Sequence, residues 1–283
     1  MRHVFLLHSY TAFITKGRQS VESVTMSIAG VSHRCDLYIN DRTSTPKSVH
    51  VADVLISDAF ASVDDILEAI NMWFRLHENH PSEVNLYLKR FDEKKTIQEI
   101  FSYTVPPLEV FGGKCCPVES AIHESRAKRI VDFLCTYACS FCTKDEFSLV
   151  KGKLSELKRP YFKTVIEACI KECTSFLARY ADESEIERIV KFSVKYRNVI
   201  SHPQSGSVVS RSIVMISLAN SMFEIVFDWL ILRQLGFSAE WIERRFKDYV
   251  PFQRSEFCNL HRVLKSEETG EAPGDLSMLD DTE

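Results

Sequence analysis

A chain of 283 residues, 45% of them hydrophobic, can bury one large core or two modest ones, and two are expected here. A formal net charge of -4 and a pI near 6.2 exclude a generic polyanion binder held by bulk positive charge, so any nucleic-acid contact must come from a local basic patch. Nine cysteines, an odd number, with no cleavable signal sequence in view, point to reduced thiols and a cytoplasmic location.

Residues 1–60 favour strands. HVFLLHSYTAFI, ESVTMSIAG, RCDLYIN and VHVADVLIS are rich in β-branched and aromatic residues and are separated by Gly, Asn, Asp and Pro signals. The first of these, interrupted by His3, His8 and Ser9, is too short for a membrane span. A helix is predicted from Ser62 to His77, with Asp64, Asp65 and Glu68 at its start, where negative charge complements the helix dipole. Pro81 ends that segment, and Glu83 to Phe91 reads as another strand.

After Lys95 the pattern becomes helical almost throughout. The expected fold class is therefore α+β, a small β-rich N-terminal region over 1–95 followed by an all-α helical bundle over 96–250. A C-terminal segment over 251–283 ends in an acidic tail of disordered composition. Pro106-Pro107 should kink or interrupt the apolar stretch Thr96 to Phe111, and Gly112-Gly113 should form a loop, without the spacing of a phosphate cradle. Further helices are predicted at about 118–142, 145–157, 160–180, 184–201, 207–235 and 238–247. The apolar run Val208 to Leu235 carries Arg211, Glu224, Asp228 and Arg233, which make it a core helix and argue against a membrane segment.

Cys135, Cys139 and Cys142 resemble in spacing the cluster motif of radical SAM enzymes, but they close a helical pattern and no barrel follows. Their shared helical face reads as buried core, as does that of Cys169 and Cys173. Arg126, Lys128 and Arg129 read as a solvated basic face.

The stretch with most chemical content is Lys191 to Pro203, KFSVKYRNVISHP. Ser184 and Glu187 have capping-box spacing at the start of its helix, and Pro203 disfavours helix at His202. At roughly 100° per residue Arg197 falls on the apolar stripe with Ile186 and Val190, where a guanidinium must find polar or anionic partners. It is either a paired core residue or part of an anion site.

Arg197, Asn198 and His202, spelled RNVISH, match the Arg-polar-x-x-x-His signature of HEPN ribonucleases. An apolar helix running into DWLILRQLG and then FSAEWIERRF follows, an order that resembles the C-terminal HEPN domain of ApeA-type anti-phage proteins over roughly residues 95 to 250. Residues 1 to 95 resemble the latter part of that family's β-rich N-terminal domain, so the chain reads as shortened at its start. Loosely spaced matches also occur from Arg2 to His8, Arg75 to His80 and Arg254 to His261, and only the Arg197 instance has an amide at the second position.

The resemblance implies RNA cleavage without metal or cofactor in abortive anti-phage defence. His202 would serve as base or acid, Arg197 would hold the phosphate, and Asn198 would orient the histidine. Lys191 and Lys195, one turn apart, are candidates for RNA-backbone contacts. The implied partners are RNA, with tRNA one candidate, a second copy of the chain meeting at the helix that bears Arg197, and a phage-derived trigger, with no membrane.

The tyrosine that antitoxins modify in some HEPN toxins is replaced here by Gln204. The alternative reading is a non-catalytic HEPN-like interaction or dimerisation module beside a β-rich partner domain.

Overall fold

The computed structural model describes residues 2–16, 23–27, 34–38, 54–57, 59–92, 94–116, 118, 124–155, 160–201, 213–253, 255 and 257–259. In chain order these form α1 (Arg2–Thr15), β1 (Ser23–Ser27), β2 (Arg34–Tyr38), α2 (Val63–Asn79), α3 (Pro81–Leu88), a 3-10 turn (Lys89–Phe91) and α4 (Ile97–Cys115). They continue with α5 (Glu124–Ala138), α6 (Lys144–Ser155), α7 (Phe162–Lys171), α8 (Thr174–Leu177), α9 (Glu183–Ser201), α10 (Ile213–Gln234), α11 (Ala239–Asp248) and α12 (Val250–Gln253).

The architecture is helical, which corrects the α+β expectation. The only strands among the described residues, β1 and β2, form one antiparallel ladder, and a two-stranded ladder is no β-rich domain. HVFLLHSYTAFI forms α1, because its buried residues Leu6, Tyr10 and Phe13 recur at helical spacing. The polar Ser9 that interrupts the apolar run is itself buried. Its Oγ donates to the Leu6 carbonyl (2.7 Å), accepts from Trp73 Nε1 (3.0 Å) and lies 3.2 Å from His77 Nε2, tying α1 to α2.

Glu83 to Phe91, read as a strand, is α3 and its 3-10 extension, with Val84, Tyr87 and Leu88 on one buried face. Pro81 opens this helix at its first turn, where a missing N–H costs nothing. Of VHVADVLIS, residues 54–57 are described and form no strand. Arg245 on α11 holds them, donating to the carbonyls of Leu55 (3.1 Å) and Val54 (2.5 Å) with its guanidinium 3.8 Å from the Phe60 ring centre.

A second correction concerns α4, which runs unbroken through Pro106-Pro107 and Gly112-Gly113. A proline inside a helix costs about 3 kcal/mol. Burial of Phe101, Val105, Leu108 and Phe111 on either side of the pair returns about 1.5–3 kcal/mol each, enough to offset both. The helix against which α4 packs most extensively is α10. α10 is apolar on every side and long enough to cross a membrane, but 78% of its most apolar window is buried inside this structure. Buried residues from Tyr10 to Phe257 form one core cluster.

α10 carries two acids inward. Asp228 accepts from Tyr87 Oη (2.6 Å) and is ion-paired with Lys16, while Glu224 pairs with Arg90 Nη2 at 2.5 Å. Lys16 stands at φ 52, the left-handed region in which glycine is the usual helix terminator, so a residue with a backbone cost sits where its ammonium can reach Asp228. Desolvation pushes the Asp228 carboxyl up and the Lys16 ammonium down, so each depends on the other to stay charged.

At Gly112 the backbone of α4 comes against α7 so closely that an added Cβ would stand 2.1 Å from Cys169 Sγ, whereas at exposed Gly113 the nearest atom would be 3.9 Å away. Gly112→Ala should therefore destabilise the fold by about 1–3 kcal/mol through overpacking. Gly113→Ala should instead stabilise it by about 0.5–1 kcal/mol through helix propensity. Urea melts of the two variants check the contrast, and Cys169→Ala should restore much of what Gly112→Ala loses.

Candidate functional site

α9 carries Arg197 to Ser201, the RNVIS part of the motif, at its C-terminal end. The capping box lies two residues earlier than Ser184 and Glu187 suggested. Asp182 Oδ1 accepts from the Glu185 N–H (2.9 Å), and Glu185 Oε2 accepts from the Asp182 N–H (2.8 Å). Glu187 instead pairs with Lys191 one turn on, at 2.8 Å. The buried face is carried by Ile189, Val190, Ser193 and Tyr196, and it meets α7 and α10. Tyr196 stacks on Phe192 (5.7 Å between ring centres) and meets Phe101 of α4 edge-on (5.0 Å).

Arg197 lies at the border of that face, its side chain 30% exposed. Its Nη2 donates to Glu109 Oε2 of α4 at 3.0 Å, and its guanidinium carbon is 5.5 Å from the ring centre of Phe162, the first residue of α7. Nη1 reaches Asn198 Oδ1 at 3.4 Å. The arginine is thus held between two helices and remains open to solvent on one side. Asn198 and Lys195 are exposed. Lys191 is exposed too, but Glu187 compensates its charge. His202 lies outside the described residues, so the structure brings Arg197 and Asn198 together and places neither against the histidine.

Sequence reasoning missed Glu109 and Phe162. The signal available for Glu109 was its being the one carboxylate in α4 beyond the first-turn Glu99, set in an apolar stretch. A structurally paired arginine, one of the two roles weighed for Arg197, is part of what is observed.

The competing Arg75 to His80 match has a different setting. Arg75 sits on exposed helix surface against Met72 Sδ (3.8 Å), while His80 is the junction between α2 and α3, edge-on to Phe111 at 5.0 Å. Burial and the Lys114 ammonium lower the proton affinity of His80. The triplet read as core cysteines is not buried: Cys139 is exposed and Cys135 and Cys142 are half-buried, because only Cys135 lies in α5 and the other two fall in the surface turn that follows it. Cys169 and Cys173 are fully buried.

Arg126, Lys128 and Arg129 are exposed on α5. A broad groove at the other end of α9, over Ile170, Ile186 and Val190, is lined by four acids, Glu167, Asp182, Glu183 and Glu187, against one cation, Lys171, a net charge of the wrong sign to extend a phosphate path from Arg197. Among the described residues no group of three or more His, Cys, Asp or Glu side chains is placed to hold a metal ion.

Comparison of the chain with protein-family models, with curated proteins and with solved structures finds no match in any of the three.

Proposed function

We propose that this chain is a HEPN-type endoribonuclease that cuts RNA without metal, acting in the cytoplasm in abortive defence against phage. The observation that carries the reading is Arg197: a guanidinium oriented by Glu109 and Phe162, solvent-facing on one side, beside Asn198 and five residues before His202-Pro203 in the sequence. An oriented, accessible cation of this kind suits a phosphate whose charge grows as it becomes pentacoordinate.

In this reading His202 accepts the ribose 2′-hydroxyl proton, the 2′-oxygen attacks phosphorus, and the 5′-oxygen leaves with a proton from a second acid. Arg197 and His202 are five residues apart and point roughly 140° from each other on an ideal helix, so one copy makes a poor site. A two-fold dimer through the C-terminal end of α9 would place two motifs in one cleft and supply that second acid from the partner. Lys195 and Lys191 would then flank the cleft as RNA-backbone contacts.

A second reading is favoured by the Glu109 contact, since an arginine already paired with a carboxylate can serve structure alone. The chain would then be a non-catalytic helical interaction module. Purified protein on structured RNAs decides between them. Cleavage should persist in excess EDTA, leave 2′,3′-cyclic phosphate ends and vanish in His202→Ala. Mixed with wild-type chains, His202→Ala should lower activity faster than the wild-type fraction falls. Activity restored to an EDTA-treated sample only by a divalent ion would refute the metal-independent reaction, and wild-type rates in His202→Ala would refute the catalytic assignment.

A further inference from the structure

Four cysteines converge where α4 meets α7. Cys115 ends α4 and Cys116 is its C-cap, while Cys169 lies in the last turn of α7 and Cys173 just beyond it, at the start of α8. Cys116 Sγ and Cys169 Sγ are 3.9 Å apart and both residues are buried. The helices approach this closely because residue 112 has no side chain to hold them apart. Cys116 has already left the helix, at φ -104 and ψ 129, so its side chain is free of the rotamer limits that a preceding helical turn imposes on Cys169.

We propose that Cys116 and Cys169 are an oxidisable dithiol that closes to a disulfide and staples the end of α4 to α7. The oxidant is a small hydroperoxide, of which hydrogen peroxide is the least hindered. The Cys116 sulfur attacks the peroxide, the O–O bond breaks, an S–O bond forms and one water leaves. The Cys169 sulfur then attacks Cys116 Sγ, the S–S bond forms, the S–O bond breaks and a second water carries off the remaining thiol proton. Two thiols lose two electrons and two protons in all, and one peroxide becomes two waters.

The order of attack follows from the surroundings. The hydrogen bond between the two sulfurs, and then burial, disfavour the thiolate of Cys169; burial disfavours that of Cys173 and pushes Cys115 up to about 12, whereas the same hydrogen bond favours the thiolate of Cys116. Cys173 turns its S–H back to the Ile170 carbonyl at 3.5 Å.

The staple bears on Arg197. Glu109 lies two turns before the C-cap Cys116 that follows α4, and Phe162 lies two turns before Cys169 on one face of α7. Drawing the sulfurs from 3.9 Å to bonding distance shifts the two helices that grip the guanidinium. This last step, unlike the disulfide itself, rests on the ribonuclease reading.

The test starts with the fully reduced, full-length protein exposed to hydrogen peroxide, denatured, alkylated and digested without reduction. A linked Cys116–Cys169 peptide, reversed by dithiothreitol, is expected. Cys169→Ala should abolish it and Cys173→Ala should leave it. Complete alkylation of all cysteines after peroxide, or a cystine joining any other pair in the wild-type protein, would overturn the proposal without recourse to a variant.

RNA cleavage by the same samples should fall on the order of tenfold to a hundredfold when the staple forms. A formed staple with unchanged cleavage would refute the coupling to Arg197. Absence of cleavage in the reduced protein would refute the nuclease reading and leave the peptide map to judge the dithiol.

Discussion

Asp228→Ala should cost about 3–5 kcal/mol of folding free energy. The removed carboxylate accepts from Tyr87 and pairs with a Lys16 ammonium whose side chain is only 9% exposed, so the variant strands a buried cation. Removing both charges is different in kind. Lys16→Met with Asp228→Leu should lose clearly less than the two single losses added together, because neither buried charge is left unpartnered. Urea denaturation of Lys16→Met, Asp228→Leu and the double variant closes the cycle. Additive losses would mean that the ion pair contributes nothing beyond its separate members.

Arg197→Ala should reduce RNA cleavage at least about a hundredfold and leave the melting midpoint nearly unchanged, because an ion pair this exposed contributes only about 0–1 kcal/mol to stability. Its partner separates the two roles of the arginine. If Glu109 competes with phosphate for the guanidinium, Glu109→Gln should lower KM while keeping the Phe162 contact. If Glu109 mainly holds the arginine in line, the same change should lower kcat and leave KM alone. An Arg197→Ala variant that cuts at the wild-type rate would end the anion-binding assignment, and one that unfolds would show the arginine to be structural.

The helical half of the chain was largely legible because periodicity and capping act within a few residues. The predicted helices at 145–157, 184–201 and 238–247 lie within two residues of α6, α9 and α11 at each end. The errors came where composition and period disagree. HVFLLHSYTAFI and EVNLYLKRF have strand-like composition, yet Leu6, Tyr10 and Phe13, and likewise Val84, Tyr87 and Leu88, keep helical spacing. α4 was misread for the opposite reason: its two prolines are strong local signals, and the tertiary contacts that override them come from residues far along the chain. The Arg197 site was half legible. A charge on an apolar stripe announces that a partner exists, but nothing local names Glu109, 88 residues earlier.

The uninterrupted course of α4 also has a meaning in time. A helix with two prolines at its middle has no N–H to offer the carbonyls of Ser102 and Tyr103, so its two halves do not support each other until another surface clamps them together. That surface is chiefly α10, which leaves the ribosome more than a hundred residues after α4 begins. Glu109 lies on the C-terminal side of the prolines. α9 rests its buried face on α10 as well, so both helices that bring Glu109 and Arg197 together await the same surface, and the grip on the guanidinium should be among the last features to form.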